Sequence, residues 1–496
     1  MNAAGLLWVL ITLPLLGAAG CLVCRSRGGV TAVIRAGVLL WAAASLFFIR
    51  EVRAEGPLTA GRGWLYLDAL SAYHLLVMTA VFTLSSLYLP AYFRGEPAEH
   101  RTDSAGMRRF GALWFGALAA MALVLLSDNI GILWVGIEAT TLVTAFLICT
   151  HRTPESMEAM WKYLIICSVG VAFAFMGTLF IGAAASGLRH PASQALLWTC
   201  LDENAARLDP VLVKVAFLFL LVGYGTKAGI APMHSWLPDA HSQAPAPVSA
   251  LFSGFMLNAA LYAVMRYMPL VEAATGNTGW GHRLLLFFGL ASLLTAAAFI
   301  ASQRDLKRLL AYCSIEHIGI IAVGLGLGGF GVFAALLHTL NHSLAKSLAF
   351  FAAGRLGQMR GTHDIRGLAG SMKTAPVWGG ALLVSLLVLV GAAPFAVFLS
   401  ELLLLFVAAE QGAYWTLGLF LAGVAAVFVG ILRNAIPLAW GDPADAPRPE
   451  RAGAAEKLLV AVCVGALLLL GIWLPGPLTD LLAAAMHIVE GPPHDL

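Results

Sequence analysis

The residues of this chain that can do chemistry are ionisable side chains set inside long apolar stretches. Lys227 stands in GYGTKAGIAPMHSWLPDAH, sixteen residues into a hydrophobic run that opens at Val211. In LLHTLNHSLAKSLAFF, His338, His342 and Lys346 recur at i, i+4 and i+8, so on a helix they climb one face at about 6 Å per step. Glu316 and His317 lie in CSIEHIGI, Glu138 in WVGIEATT, Lys162 in MWKYLII and Glu401 in FLSELLLL. Such groups are what a proton wire needs. Each binds and releases a proton near neutral pH once burial and neighbouring charge have adjusted its affinity. Lysine can join only where desolvation or a nearby cation makes its charged form costly.

One charge at the centre of a bilayer costs about 3 kcal/mol, so the acids and lysines above would together cost roughly 15–20 kcal/mol if isolated. That exceeds the net stability of about 5–15 kcal/mol of a folded protein. They must pair, share hydrogen bonds or meet water. Plainer roles compete for some of them. Lys162, near the start of its run, can snorkel to the surface, and Glu316 with His317 can be a helix-packing pair. A metal site at His338 and His342 is disfavoured, because i, i+4 histidines supply only two ligands and the next group on that face is a lysine.

The elements that must position these groups are membrane spans. Of 496 residues, 60% are hydrophobic and 11% charged, against about 25% charged in soluble domains. Apolar runs of the roughly 20 residues that cross a bilayer recur at 3–24, 30–49, 65–92, 110–127, 129–150, 161–187, 211–231, 247–267, 284–302, 309–328, 330–354, 375–408, 414–437 and 457–475. The chain is thus expected to be an all-α integral membrane protein of about fourteen transmembrane helices, with a short tail after 476. With the N-terminus outside, eighteen basic residues, among them Arg94, Arg109, Lys307, Arg448 and Arg451, fall in inward loops. Seven, Arg50, Arg53, Arg62, Arg189, Arg207, Arg266 and Arg283, fall outward. That bias places both termini outside.

Several chemistries are set aside. The N-terminal run lacks the basic flank of a signal peptide and reads as a retained span. Seven cysteines include one CLVC pair, Cys21 and Cys24, with no second pair to complete a metal set. GLGLGGFG (324–331) follows an apolar helix rather than a strand, so it is no nucleotide loop. No cofactor, no metal and no nucleic-acid partner is expected; the lipid bilayer is. Gly225, Gly229 and Pro232 should open the helix around Lys227, and Pro394 should interrupt the run 375–408. Broken helices in matching places of two halves mark inverted-repeat transporters. The expected division is 1–109 (helices 1–3), 110–267 (helices 4–8, first repeat), 268–440 (helices 9–13, second repeat) and 441–496, with helices 7 and 12 broken.

The stretches GTKAGIAPMHSWLPDAHSQAPAPVSALFSG, YCSIEHIGIIAVGLGLG and LLHTLNHSLAKSLAFFAAG resemble the antiporter-like subunits of respiratory complex I and its relatives, most of all hydrogenase-4 component F, over roughly residues 60–440. The resemblance implies two inverted five-helix repeats around a central hydrophilic axis for protons. It implies that Glu138 is the family's acidic residue on helix 5, Lys162 the charged partner on helix 6 and Lys227 the lysine of broken helix 7. His338, His342 and Lys346 match the relay of helix 11, and Glu401 the exit residue of helix 12. On helix 8, where relatives carry a histidine or lysine, this chain offers Ser253 and Asn258. Ala393 precedes Pro394 where relatives have two prolines.

The expected function is that of a proton-translocating subunit of a redox-driven complex, of the hydrogenase-4, formate hydrogenlyase or NADH:quinone oxidoreductase kind. It would sit in a bacterial cytoplasmic (inner) membrane beside other membrane subunits and peripheral iron–sulfur or hydrogenase subunits. It would hold no redox centre and do no catalysis of its own. A cation/proton antiporter subunit, and an inorganic-carbon uptake subunit with a soluble partner, fit the same ionisable residues.

Overall fold

A computed structural model describes residues 3–97, 101–188, 194–442 and 452–491; Arg189, Arg448 and Arg451, used above for orientation, lie outside the described residues. The chain is helical almost throughout. In order, the helices are α1 (Val9–Val23), α2 (Arg27–Glu55), α3 (Ala69–Arg94), α4 (Ser104–Leu126), α5 (Ile130–Ile148), α6 (Pro154–Ala184), α7 (Pro210–Ala228), α8 (Leu237–Gln243) and α9 (Ala246–Ala274). Then come α10 (Trp280–Ile300), α11 (Leu306–Leu327), α12 (Phe330–Arg360), α13 (Pro376–Leu389), α14 (Ala396–Glu410), α15 (Tyr414–Trp440), α16 (Ala454–Ile472) and α17 (Gly476–Glu490).

Local chemistry sets where they start. Asp68, Asp103, Asn129, Thr153, Asp209 and Asp305 each accept a hydrogen bond from a first-turn amide of the helix they precede, satisfying a donor that the helix itself leaves unpaired. Asp68 explains a departure from the expected run at 65–92. Leu65–Leu67 pairs antiparallel with Leu58–Ala60 as a small hairpin, and the helix begins only after the aspartate.

Among the described residues, eleven helices are long and apolar enough to cross a membrane. α1 and α13 are shorter apolar helices, and α12, though 31 residues long, carries the histidine–lysine ladder along its length. The protein is a multi-pass membrane protein. Its helices divide by burial: α9 is buried all round and α11 is 94% buried over its apolar window, whereas α16 is only 22% buried there. Helices apolar on every side belong in the interior or against lipid. Here α9, α11 and α12 form the interior, and the outward faces of α6, α10, α15 and α16 are left for lipid.

Two interruptions shape that interior. Gly229 ends α7 with φ +78°, and the amides of Gly229 and Ile230 return to the carbonyls of Thr226 (3.2 Å) and Gly225 (2.9 Å). Gly391 ends α13 with φ +67°, and the amides of Gly391 and Ala392 return to Val388 (3.0 Å) and Leu387 (3.0 Å). Both are the paired 5→2 and 6→1 bonds of a helix terminus that needs a left-handed residue, which glycine supplies without a Cβ clash. The run 375–408 is therefore two helices. A third irregularity is a π-helical turn at Phe252–Met256 inside α9, a feature frequent at functional sites.

Residues after 476, expected as a tail, form α17. Its buried Leu478, Leu481, Leu482, Ala485 and Val489 follow helical spacing and pack the helix on α3, α9 and α12. The sequence reading missed it because fifteen residues with one apolar face are too short to span.

Candidate functional site

Lys227 is fully buried in the last turn of α7. A cation there faces the unpaired carbonyls and negative end of the helix dipole. Its Nζ donates to Thr141 Oγ1 at 3.0 Å and to the Tyr163 hydroxyl, and lies 4.6 Å from the Tyr163 ring centroid. Thr144 Oγ1 extends the chain with a 2.6 Å bond to Tyr163 Oη. Glu138, one turn before Thr141 on α5, accepts instead from Ser168 Oγ at 3.0 Å, and its Oε2 has no partner among the described residues. Among the described residues no ion pair within 4.0 Å joins Glu138 to Lys227. The carboxylate is three residues, about 4.5 Å of helical rise, along α5 from the threonine that now holds the lysine. Lys227 thus rests on neutral hydroxyls with a carboxylate one step away.

The π-helical turn of α9 stands between this group and the second. Met256 Sδ lies 3.6 Å from both Thr144 Oγ1 and Tyr163 Oη. On the other side Ser253 Oγ bonds Ser314 Oγ at 2.8 Å. Ser314 Oγ and Lys346 Nζ both donate to the Leu310 carbonyl, at 3.1 and 2.6 Å. Asn258 Nδ2 donates to Ser343 Oγ at 3.1 Å. Ser253 and Lys346 are thus linked through Ser314 and the backbone carbonyl of Leu310, which accepts from both Ser314 and Lys346.

Beyond Lys346 the ladder on α12 meets α11 and α14. His317 Nδ1 and His338 Nε2 are 2.9 Å apart, His338 Nδ1 bonds Ser400 Oγ at 2.9 Å, and the rings of His317 and His342 lie 5.0 Å apart. Among the described residues His342 has no partner at either ring nitrogen, and Glu316 Oε2, His317 Nε2 and Glu401 Oε1 are likewise buried without one. Orphaned buried polar atoms are costly, and among the described residues this end of the interior gathers several of them. His317, His338 and Glu401 each bring a ligand atom within 4.8 Å of the others, as do Cys313, Glu316 and His317. His342, whose pairing with His338 on a metal the sequence disfavours, belongs to neither set.

The breaks position both ends. At the first, Trp236 Nε1 gives Thr226 O a second donor and Ser292 Oγ accepts from Ala231 N, each at 2.9 Å. At the second, Asn341 Nδ2 donates to Ala396 O at 2.7 Å. A Cβ on Gly391 would collide with the Glu401 carboxylate, so the glycine that ends α13 also makes room for the acid on α14. The peptide bonds before Pro232 and Pro394 are both cis.

The structure does not bring Lys162 to Lys227. Its side chain is 45% exposed and pairs with Glu158 (2.6 Å) and Asp239 (3.1 Å), the latter also holding Arg308. One residue along α6 turns the side chain by about 100°, so Tyr163 faces inward and Lys162 faces out. Arg266, expected in an outward loop, is buried in α9, with bidentate bonds of 2.6 Å to Asp68, and Lys307, expected in an inward loop, is buried with Nζ on the carbonyls of Ser242 and Ala244. Run ends drawn from hydropathy place any charge near them in a loop, whereas these two helices continue past it. Sequence reading also missed Tyr163, Thr141, Asn341 and Ser400. Helical spacing held a signal for two of them: Thr141 is i+3 from Glu138 and Asn341 is i+3 from His338.

Buried hydroxyls, amines, imidazoles and carboxylates thus lie between the two helix breaks of a multi-pass membrane protein. Residues 127–428 match the family model for the transmembrane NADH:quinone oxidoreductase/Mrp antiporter proteins, and the chain belongs to that family. It is 39% identical over 385 residues to a hydrogenase-4 component F homolog of Methylacidiphilum infernorum, covering 77% of this chain and 80% of the relative. Hydrogenase-4 component B of Escherichia coli is 30% identical over 349 residues, of which this chain spans half the length. Among solved structures, a chain of the archaeal membrane-bound sulfane sulfur reductase, a respiratory membrane complex, superposes with a TM-score of 0.87 at 26% identity, covering 98% of each chain. A chain of the Mrp complex from a Dietzia species does so with a TM-score of 0.86 at 20% identity, 99% of this chain and 98% of that one.

Proposed function

We propose that this chain is the proton-translocating subunit of a redox-driven membrane complex of the hydrogenase-4 kind, with membrane and peripheral redox partners. The observation that carries the reading is the set of buried polar groups strung between the two breaks: Lys227 with Tyr163 at one end, Ser253, Ser314 and Lys346 beside the α9 turn, and His317, His338 and Glu401 at the other. The similarity to hydrogenase-4 component F supports the choice of partner class. In this reading the chain crosses an inner membrane fourteen times, with α7–α8 and α13–α14 as the broken helices of two inverted repeats and both termini on the outer side.

Moving one proton against 100 mV costs about 2.3 kcal/mol, which a partner's electron transfer must supply. A displacement at α5 and α6 that brings Glu138 to Lys227, in place of Thr141 and Tyr163, tightens the hold of Lys227 on its proton. Reversal loosens it, and the proton moves toward Lys346 and leaves by Glu401. Lys162, in its surface ion cluster, tunes the α6–α8 contact rather than carrying the proton.

The test is electron-transfer-driven acidification of membrane vesicles holding the assembled complex, read with a pH-sensitive dye. Lys227→Ala should abolish acidification while electron transfer remains. Full acidification by that variant sinks the mechanism, and acidification that requires sodium at fixed pH makes the protein a cation/proton antiporter subunit instead.

A further inference from the structure

Where α1 and α5 end and α4 and α6 begin, a cavity of about 1100 Å³ opens on the surface. Its rim is basic: Arg101, Arg109 and Arg152 line it, are exposed, and make no hydrogen bond or ion pair among the described residues. The other charged groups there are already engaged. Asp103 caps α4 through Gly106 N at 2.6 Å, and His151 is held at 2.9 Å by Glu96, which Arg27 pairs at 3.0 Å. Below the rim the lining is apolar and open, with Leu22 and Phe146 each 56% exposed and Met157 46%. Three uncompensated guanidiniums above an exposed apolar strip reproduce the layout of an amphiphile with an anionic head. The volume slightly exceeds the roughly 300–1,000 Å³ of small-molecule pockets.

We propose that this cavity binds an anionic phospholipid. The guanidiniums grip the phosphodiester, for which their planar fork is suited, and the acyl chains lie along Leu22, Phe146 and Met157. Basic pockets between transmembrane helices bind such headgroups. The bound lipid braces the α5–α6 turn, whose two helices carry Glu138 and Tyr163.

The test is native mass spectrometry of the purified, delipidated full chain with added dioleoyl phosphatidylglycerol or dioleoyl phosphatidylcholine. The wild type should retain phosphatidylglycerol and not phosphatidylcholine. With each basic residue near the surface contributing about 1 kcal/mol, the Arg101→Gln, Arg109→Gln, Arg152→Gln triple variant should retain about a hundredfold less. The corresponding Arg→Lys triple variant, which keeps the charges, should retain most of it, separating lost charge from lost folding. Equal retention by the glutamine variant, or equal retention of phosphatidylcholine, overturns the proposal. So does competition by millimolar inorganic phosphate, which would make this a free-phosphate site, or a polypeptide that covers the cavity in the assembled complex and excludes the lipid.

Discussion

The breaks that end α7 and α13 share one turn. Gly229 and Gly391 both take positive φ, each is followed by the same pair of returning amide bonds, and Pro232 and Pro394 each stand three residues later. What differs is which side of the turn carries the ionisable group. Lys227 is two residues before its glycine, at the negative end of α7; Glu401 is ten residues after its glycine, in the second turn of α14. The partners differ as well. Lys227 is held by hydroxyls from α5 and α6, while Glu401 keeps an orphaned oxygen near two histidines. One backbone device therefore serves two chemistries, and the neighbouring helices decide which.

The comparison is broken most severely by removing titration at either end. Lys227→Arg keeps the charge but cannot release a proton, and Glu401→Gln keeps the shape but cannot ionise; each should lower dye-detected acidification about a hundredfold or more, the scale of a lost proton-transfer group. Full activity in Lys227→Arg would show that charge alone suffices at the first break. Next come the glycines. Gly229→Ala and Gly391→Ala each force a non-glycine residue to positive φ at about 1–3 kcal/mol, visible as a lower Tm. Only Gly391→Ala should also depress acidification, about tenfold at its 1.4 kcal/mol per decade, because its Cβ displaces the Glu401 carboxylate. Equal transport loss in both variants would remove the distinction.

Tyr163→Phe deletes one acceptor of Lys227. At about 1–1.5 kcal/mol for a lost hydrogen bond, it should slow transport several-fold, measured as the initial acidification rate. Lys162→Gln should have the smallest effect, within about twofold in transport and under about 1 kcal/mol in stability, the scale of an exposed ion pair. A large transport loss there would return Lys162 to the relay.

Much of this was legible in the residues. The ladder His338, His342 and Lys346 shares a face because of helical period, and Gly229 with Pro232 announces a helix end by its own stereochemistry. The partner sets were not legible. Nothing local in MWKYLII says that Tyr163 rather than Lys162 turns inward, because that depends on how α6 is rotated against α5 and α7. Asp68 and Arg266 are 198 residues apart and meet only through packing.

The sequence by itself determined the membrane class, the two breaks and the inventory of ionisable groups, since hydropathy, glycine and proline act over a few residues. Only the tertiary structure decided that Lys227 rests on hydroxyls, that a π-helical turn lies between the two polar groups, and that the Gly391 turn opens space for Glu401. Those outcomes depend on helix rotation and long-range contact, which the neighbours of a residue along the chain do not encode.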